Sequence, residues 1–127
     1  INIPKWPTAM ASHSAKLPDA KKADFANWCA ALADIIKAYP KVTHLEILNE
    51  VDNLYNGSAD MTELHNLCVQ ARNAIRTKTT ALTLIPAPWT QPYDTDMNTF
   101  ISLINKDVFS AFSYHNYSTS GTSTDLN

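Results

Sequence analysis

The apolar run over residues 42–48 stops abruptly at an amide and a carboxylate, Asn49-Glu50, and a polar loop follows. A buried parallel strand has this form when it delivers chemistry at its C-terminal end. Side chains alternate along a strand, so Glu46 and Glu50 fall on one face with Leu48 between them. Two acids sent inward from one strand are not explained by packing alone, because a buried carboxylate is costly unless it is paired or used. The chain must therefore build a frame that presents the end of this strand at a polar opening.

The rest of the chain supplies such a frame by alternation. Residues 1–12 begin with a short strand-like piece interrupted by Pro4 and Pro7. A helix opens at Pro18-Asp19, with Asp19 as N-cap and Asp24 near the positive end of the dipole. Phe25, Cys29, Leu32, Ile36 and Tyr39 form its apolar stripe, widened by Trp28 and Ile35, and Pro40 stops it. After the strand over 42–49 and a loop turning at Gly57, Asp60 and Glu63 have the spacing of a capping box for a second helix. Its buried stripe is Leu64, Leu67, Cys68, Ala71 and Ile75. A strand is expected over 81–86, then a rigid loop with Pro86, Pro88 and Pro92. A third helix, capped by Asp94 or Thr95, presents Met97, Phe100, Ile101 and Ile104, and a fourth strand covers 108–114. The order β-α-β-α-β-α-β predicts parallel strands with right-handed crossovers in a single domain over residues 1–127.

The stretch Leu45-Glu46-Ile47-Leu48-Asn49-Glu50-Val51 resembles the strand-four motif of the clan of retaining glycoside hydrolases built on a (β/α)8 barrel. That pattern reads aromatic-Glu-Ile-x-Asn-Glu-Pro; here Leu45 replaces the aromatic and Val51 the proline. The resemblance implies an α/β fold class and a partial (β/α)8 TIM barrel, about half of the barrel, matching strands three to six. A complete barrel takes about 250 residues, so the remainder is expected from the same or another chain; Ile1 in place of Met points to processing or truncation.

By the same resemblance Glu50 is the general acid/base of glycosidic bond cleavage, and Asn49 binds the sugar 2-hydroxyl. Glu46 is a hydrogen-bonded structural acid. His115, at the end of the last strand beside Tyr114, Asn116 and Tyr117, orients the nucleophile or contacts sugar, or else is structural. Trp6 and Trp89 either line the mouth for a sugar ring or pack into their own proline-rich loops. The clan's nucleophile, a Glu from strand seven, has no counterpart here, and Glu63 sits in a capping position. The expectation is therefore a part of a retaining glycoside hydrolase acting on poly- or oligosaccharides, inactive as an isolated chain. The alternative is a non-catalytic structural glycoprotein or carbohydrate-binding relative.

Composition narrows the partners. The net charge is -2 with no basic cluster, which argues against nucleic acid. No apolar run spans a membrane. The sequence has no Cys-x-x-Cys or His-x-x-x-His spacing for zinc, and no cofactor is expected. Cys29 and Cys68 fall on helical stripes, as free buried thiols or as a bridge between helices. Sequons at Asn56 and Asn116 favour a secreted glycoprotein. A doubly wound α/β domain of unrelated function ranks last, because it predicts a glycine-rich phosphate loop and the only glycines are Gly57 and Gly121.

Overall fold

The computed structural model describes residues 1–3, 5–12, 14–90, 95–104, 108–109 and 111–115. Their elements run α1 (Asp19–Ile36), β1 (His44–Glu46), α2 (Gly57–Arg76), β2 (Thr83–Ile85) and α3 (Thr95–Leu103). β1 and β2 pair in parallel, with His44 opposite Thr83 and Glu46 opposite Ile85. Asn2 makes a parallel bridge to Glu46, and Trp89 makes one to Tyr114.

The half-barrel expected from the sequence is not what forms. Among the described residues the sheet has two strands of three residues each, too little for half of a (β/α)8 barrel. The physical reasons are local. Pro86 and Pro88 have no N–H to donate, so β2 stops at Ile85. Glu50 takes a positive φ of 48°, which ends extended structure after the apolar run. Among the described residues of the strand expected over 108–114, Tyr114 alone makes a bridge, and Val108 lies in a turn.

The helices follow the sequence more closely, with shifted ends. α1 starts one residue early for an Asp19 cap: Pro18 is the N-cap residue, and Asp19 sits in the first turn, 2.5 Å from Lys22. That contact holds the Asp19 carboxyl below its ordinary pKa. The helix ends at Ile36, before Pro40, in turns closed by Ala38 N–H to the Ile35 carbonyl and Tyr39 N–H to the Ile36 carbonyl. Its buried face is narrower than the apolar stripe. Phe25, Cys29 and Ile36 are buried together with Ala26, Ala30 and Ala33, whereas Ile35 and Tyr39 are 63% and 61% exposed. Small alanines let the backbone of a helix approach its neighbour, so they displace bulky residues from the contact.

α2 begins at Gly57, three residues before the expected start. Asp60 is not the cap; its carboxylate accepts the Asn56 backbone N–H at 2.8 Å from inside the first turn. Glu63 serves no capping box and instead accepts from Lys22 of α1 at 2.7 Å. Gly57, at φ 80°, makes the left-handed entry, and Asp96 of α3 accepts its N–H. The expected stripe of α2 is buried in full, with Met61 added. At its other end the Arg76 guanidinium donates to the Leu82 carbonyl at 2.8 Å and so ties α2 to the approach of β2. Phe25 packs edge-on against Trp6 and stacks on Trp28, while Trp89, Phe100 and Phe112 form a second aromatic cluster. Cys29 and Cys68 are free thiols in the core, and burial pushes both thiol pKa values up, so they act as packing residues. No helix among the described residues is long and apolar enough to cross a membrane.

The two sides of α1 make opposite predictions. Phe25→Ala, at a fully buried site between two indoles, is expected to cost about 3–5 kcal/mol, and Ile35→Ser no more than about 0.5 kcal/mol, in urea unfolding. A second prediction concerns pH. Lys16, 2.5 Å away, and the Asn56 N–H hold the Asp60 carboxyl below its ordinary value. A depressed folded pKa means stability present above the unfolded carboxylate range and lost as pH falls through the folded value. The stability gap between the native chain and Asp60→Asn should therefore be widest near neutral pH and close below about pH 4.

Candidate functional site

The polar residues converge where β1 ends. Two ladder-like contacts fix the frame: Ile3 N–H donates to the Glu46 carbonyl, and Glu46 N–H donates to the Ile1 carbonyl, both at 2.9 Å. On the other side Ile47 N–H donates to the Ile85 carbonyl. Leu45, Ile47 and Leu48 are fully buried, so the segment is anchored from below by apolar contacts and Asn49 and Glu50 emerge half-buried. Val51, at the position of the motif's proline, is itself fully buried, and its carbonyl accepts the N–H groups of Leu54 and Tyr55 to turn the loop.

Glu50 and His115 meet. The imidazole Nδ1 lies 2.7 Å from Glu50 Oε1, a separation that holds one proton between the two groups. Their side chains are 24% and 30% exposed, so the pair is open to solvent on one side. Both backbones hang from one short segment: Glu50 N–H donates to the Pro88 carbonyl at 3.2 Å, and His115 N–H to the Trp89 carbonyl at 2.7 Å. That segment is held by proline geometry and by the buried Trp89 ring. The loop after Glu50 is clamped to the same place, because Asp52 Oδ2 accepts from both the backbone N–H and the hydroxyl of Thr90.

Glu46 lies beside this pair and is fully engaged. One carboxylate oxygen accepts from Asn2 Nδ2 at 2.8 Å, the other from the Ser113 hydroxyl at 2.7 Å. Asn2 Nδ2 also donates to Asn49 Oδ1 at 3.1 Å. Ser113 and His115 are two residues apart and reach Glu46 and Glu50, so residues 113–115 act as extended backbone presenting one face to both acids.

The structure sorts the sequence-predicted residues into three groups. Glu50, Asn49 and His115 come together with Glu46. Trp6 is 2% exposed and Trp89 fully buried, so both indoles are core residues and neither offers a ring face to a sugar. Asn56 is exposed at the N-cap of α2, while Tyr117 and Asn116 lie outside the described residues. Asn2, Ser113, Asp52 and Thr90 escaped sequence reasoning. Only Ser113 had a usable signal, its two-residue spacing from His115. Among the described residues no three His, Cys, Asp or Glu side chains gather as a metal site. Two surface grooves lie elsewhere, on the α1–α2 face, one bordered by Lys22, Glu63 and Gln70 and the other by Ala30, Ile35 and Lys78. Their acids, Glu63 and Asp34, are ion-paired to lysines, so the carboxyl–imidazole chemistry stays at the end of β1.

Comparisons with protein-family models, with curated proteins and with solved structures return no match.

The left-handed backbone at Glu50 gives a direct test. A non-glycine residue there costs about 1–2 kcal/mol. Glu50→Ala and Glu50→Gly both lack the carboxyl group, so Glu50→Gly should be the more stable of the two by about 1 kcal/mol in thermal unfolding. A Glu50→Gly chain no more stable than Glu50→Ala would show a relaxed backbone.

Proposed function

We propose that the end of β1 is a carbohydrate site belonging to a retaining glycoside hydrolase, with Glu50 as general acid/base and the nucleophile supplied from outside this chain. The observation that carries the reading is the Glu50–His115 pair at 2.7 Å beside Asn49, in the segment that resembles the Asn-Glu motif of that clan. Acid/base catalysis at a glycosidic oxygen needs a carboxyl that can give up and regain a proton while held in one orientation. His115 supplies a second proton-carrying group in contact with that carboxyl, and the Pro88 and Trp89 carbonyls fix both backbones. Exposure of about a quarter of each side chain leaves room for a leaving-group oxygen.

Retaining hydrolysis also needs a second carboxylate about 5 Å from the first. Glu46 accepts from Asn2 and Ser113, and Asp52 accepts from Thr90 through Oδ2 while its Oδ1 is buried, so neither nearby acid is presented to attack an anomeric carbon. This favours, as the second reading, a non-catalytic carbohydrate-binding or structural glycoprotein with the same sugar contacts. A secreted setting suits either reading, whereas a glycan at Asn116, next to His115 in the sequence, favours the non-catalytic one.

The test is nuclear magnetic resonance titration of the chain with p-nitrophenyl β-glucoside, β-galactoside and β-xyloside. The expected result is selective perturbation of Asn49, Glu50 and His115, with binding weakened about tenfold or more in Glu50→Ala, the loss of a hydrogen bond to a charged group. No release of nitrophenol should accompany it. Silence at these residues with every glycoside would contradict the reading, and sustained turnover would contradict an external nucleophile.

A further inference from the structure

Asn49 is adjacent to the proton-carrying pair, and its side-chain amide can present either its oxygen or its NH2 group to a ligand. The surrounding hydrogen bonds choose between them. Asn2 Nδ2 has two hydrogens: one goes to Glu46 Oε2 at 2.8 Å, the other to Asn49 Oδ1 at 3.1 Å. Glu46 cannot donate in return while it is ionised, and its other oxygen is taken by Ser113 at 2.7 Å. Asn2 is therefore held as a donor toward both neighbours. Turning the Asn49 amide over would set its NH2 against the NH2 of Asn2, two donors face to face, and would leave the second Asn2 hydrogen unbonded in a half-buried setting.

We infer that Asn2 is a positioning residue: held by Glu46, it locks the Asn49 amide with its oxygen inward, so that the Asn49 NH2 group is the donor offered to a sugar hydroxyl. The relay Ser113–Glu46–Asn2–Asn49 joins three stretches of the chain, spanning 67 residues between Glu46 and Ser113 and 44 between Asn2 and Glu46. It gives Glu46 a purpose that does not require it to react. It acts on the contact that the resemblance assigns to Asn49, a hydrogen bond to the hydroxyl at the carbon next to the anomeric centre. This inference rests on the carbohydrate reading above.

The experiment compares binding of p-nitrophenyl β-glucoside and β-galactoside with their 2-deoxy counterparts to the native chain, Asn2→Ala and Asn2→Asp. Asn2→Asp keeps the shape but accepts where Asn2 donates, so it turns the Asn49 amide toward itself. The native chain should prefer the hydroxylated glycoside about tenfold. In Asn2→Ala, which frees the Asn49 amide to turn, that preference should fall severalfold with the affinity for the 2-deoxy glycoside unchanged, whereas in Asn2→Asp the reversed amide accepts from the hydroxyl and keeps part of the preference. In the free native chain, a through-hydrogen-bond coupling between Asn2 Nδ2 and Asn49 Cγ is expected as an independent readout. An unchanged preference in Asn2→Ala, or equal weakening of both ligands in that variant, would overturn the relay while leaving the carbohydrate reading intact. A native chain that binds none of the glycosides overturns the carbohydrate reading, and the sugar-positioning role falls with it.

Discussion

The carbonyl groups of Pro88 and Trp89 are the constraint on which the site depends. One receives the Glu50 N–H, the other the His115 N–H, so a single peptide-length stretch sets the distance between the acid and the imidazole. That stretch cannot drift. Pro86 and Pro88 restrict its backbone, and the Trp89 indole is fully buried against Phe100 of α3 and against Phe112. Core packing is thereby converted into placement of two proton-carrying groups that are 65 residues apart in the chain. The tight backbone at Glu50 is consistent with this: a left-handed glutamate persists only where its surroundings over-determine it.

Around that anchor the polar side chains are arranged for orientation more than for stability. Glu46, Asn2, Ser113 and Thr90 are each bonded to a neighbour, and Asp52 is bonded through Oδ2 while its buried Oδ1 has no hydrogen-bond partner. Such networks are strong when complete and costly when broken, because a half-buried group left alone loses its partner without regaining water. The apolar side of β1 carries the stability, with Leu45, Ile47, Leu48 and Val51 all fully buried. The charged contacts of Lys22, with Asp19 on its own helix and with Glu63 of α2, lie near the surface and contribute little by comparison.

The sequence disclosed the helices and the position of the acid, and misjudged the sheet. Three amphipathic segments were legible because helical periodicity repeats over several turns: Leu64, Leu67, Cys68, Ala71 and Ile75 are all buried as their spacing predicts. Their ends were less legible, since Asp60 resembles a cap in sequence but accepts the Asn56 N–H from within the helix. The barrel was the larger error. Apolar runs at 42–48 and 81–85 satisfy the pattern of buried strands, but each pairs over only three residues. Backbone hydrogen bonding is non-local, and nothing in a short apolar run fixes how far its ladder extends. Trp6 and Trp89 were ambiguous for the same reason: a tryptophan in a proline-rich loop serves a core or a ligand equally well until its neighbours are known. Asn2 was illegible altogether, because its role is defined by Glu46 and Asn49, more than forty positions away.

A crystal structure of the chain soaked with p-nitrophenyl β-glucoside tests the account most directly. It predicts the glycosidic oxygen within hydrogen-bond distance of the Glu50 carboxyl, on the side away from His115, with the neighbouring sugar hydroxyl accepting from the Asn49 amide. A sugar seated only in the grooves between α1 and α2, with the Glu50–His115 pair untouched, would contradict it.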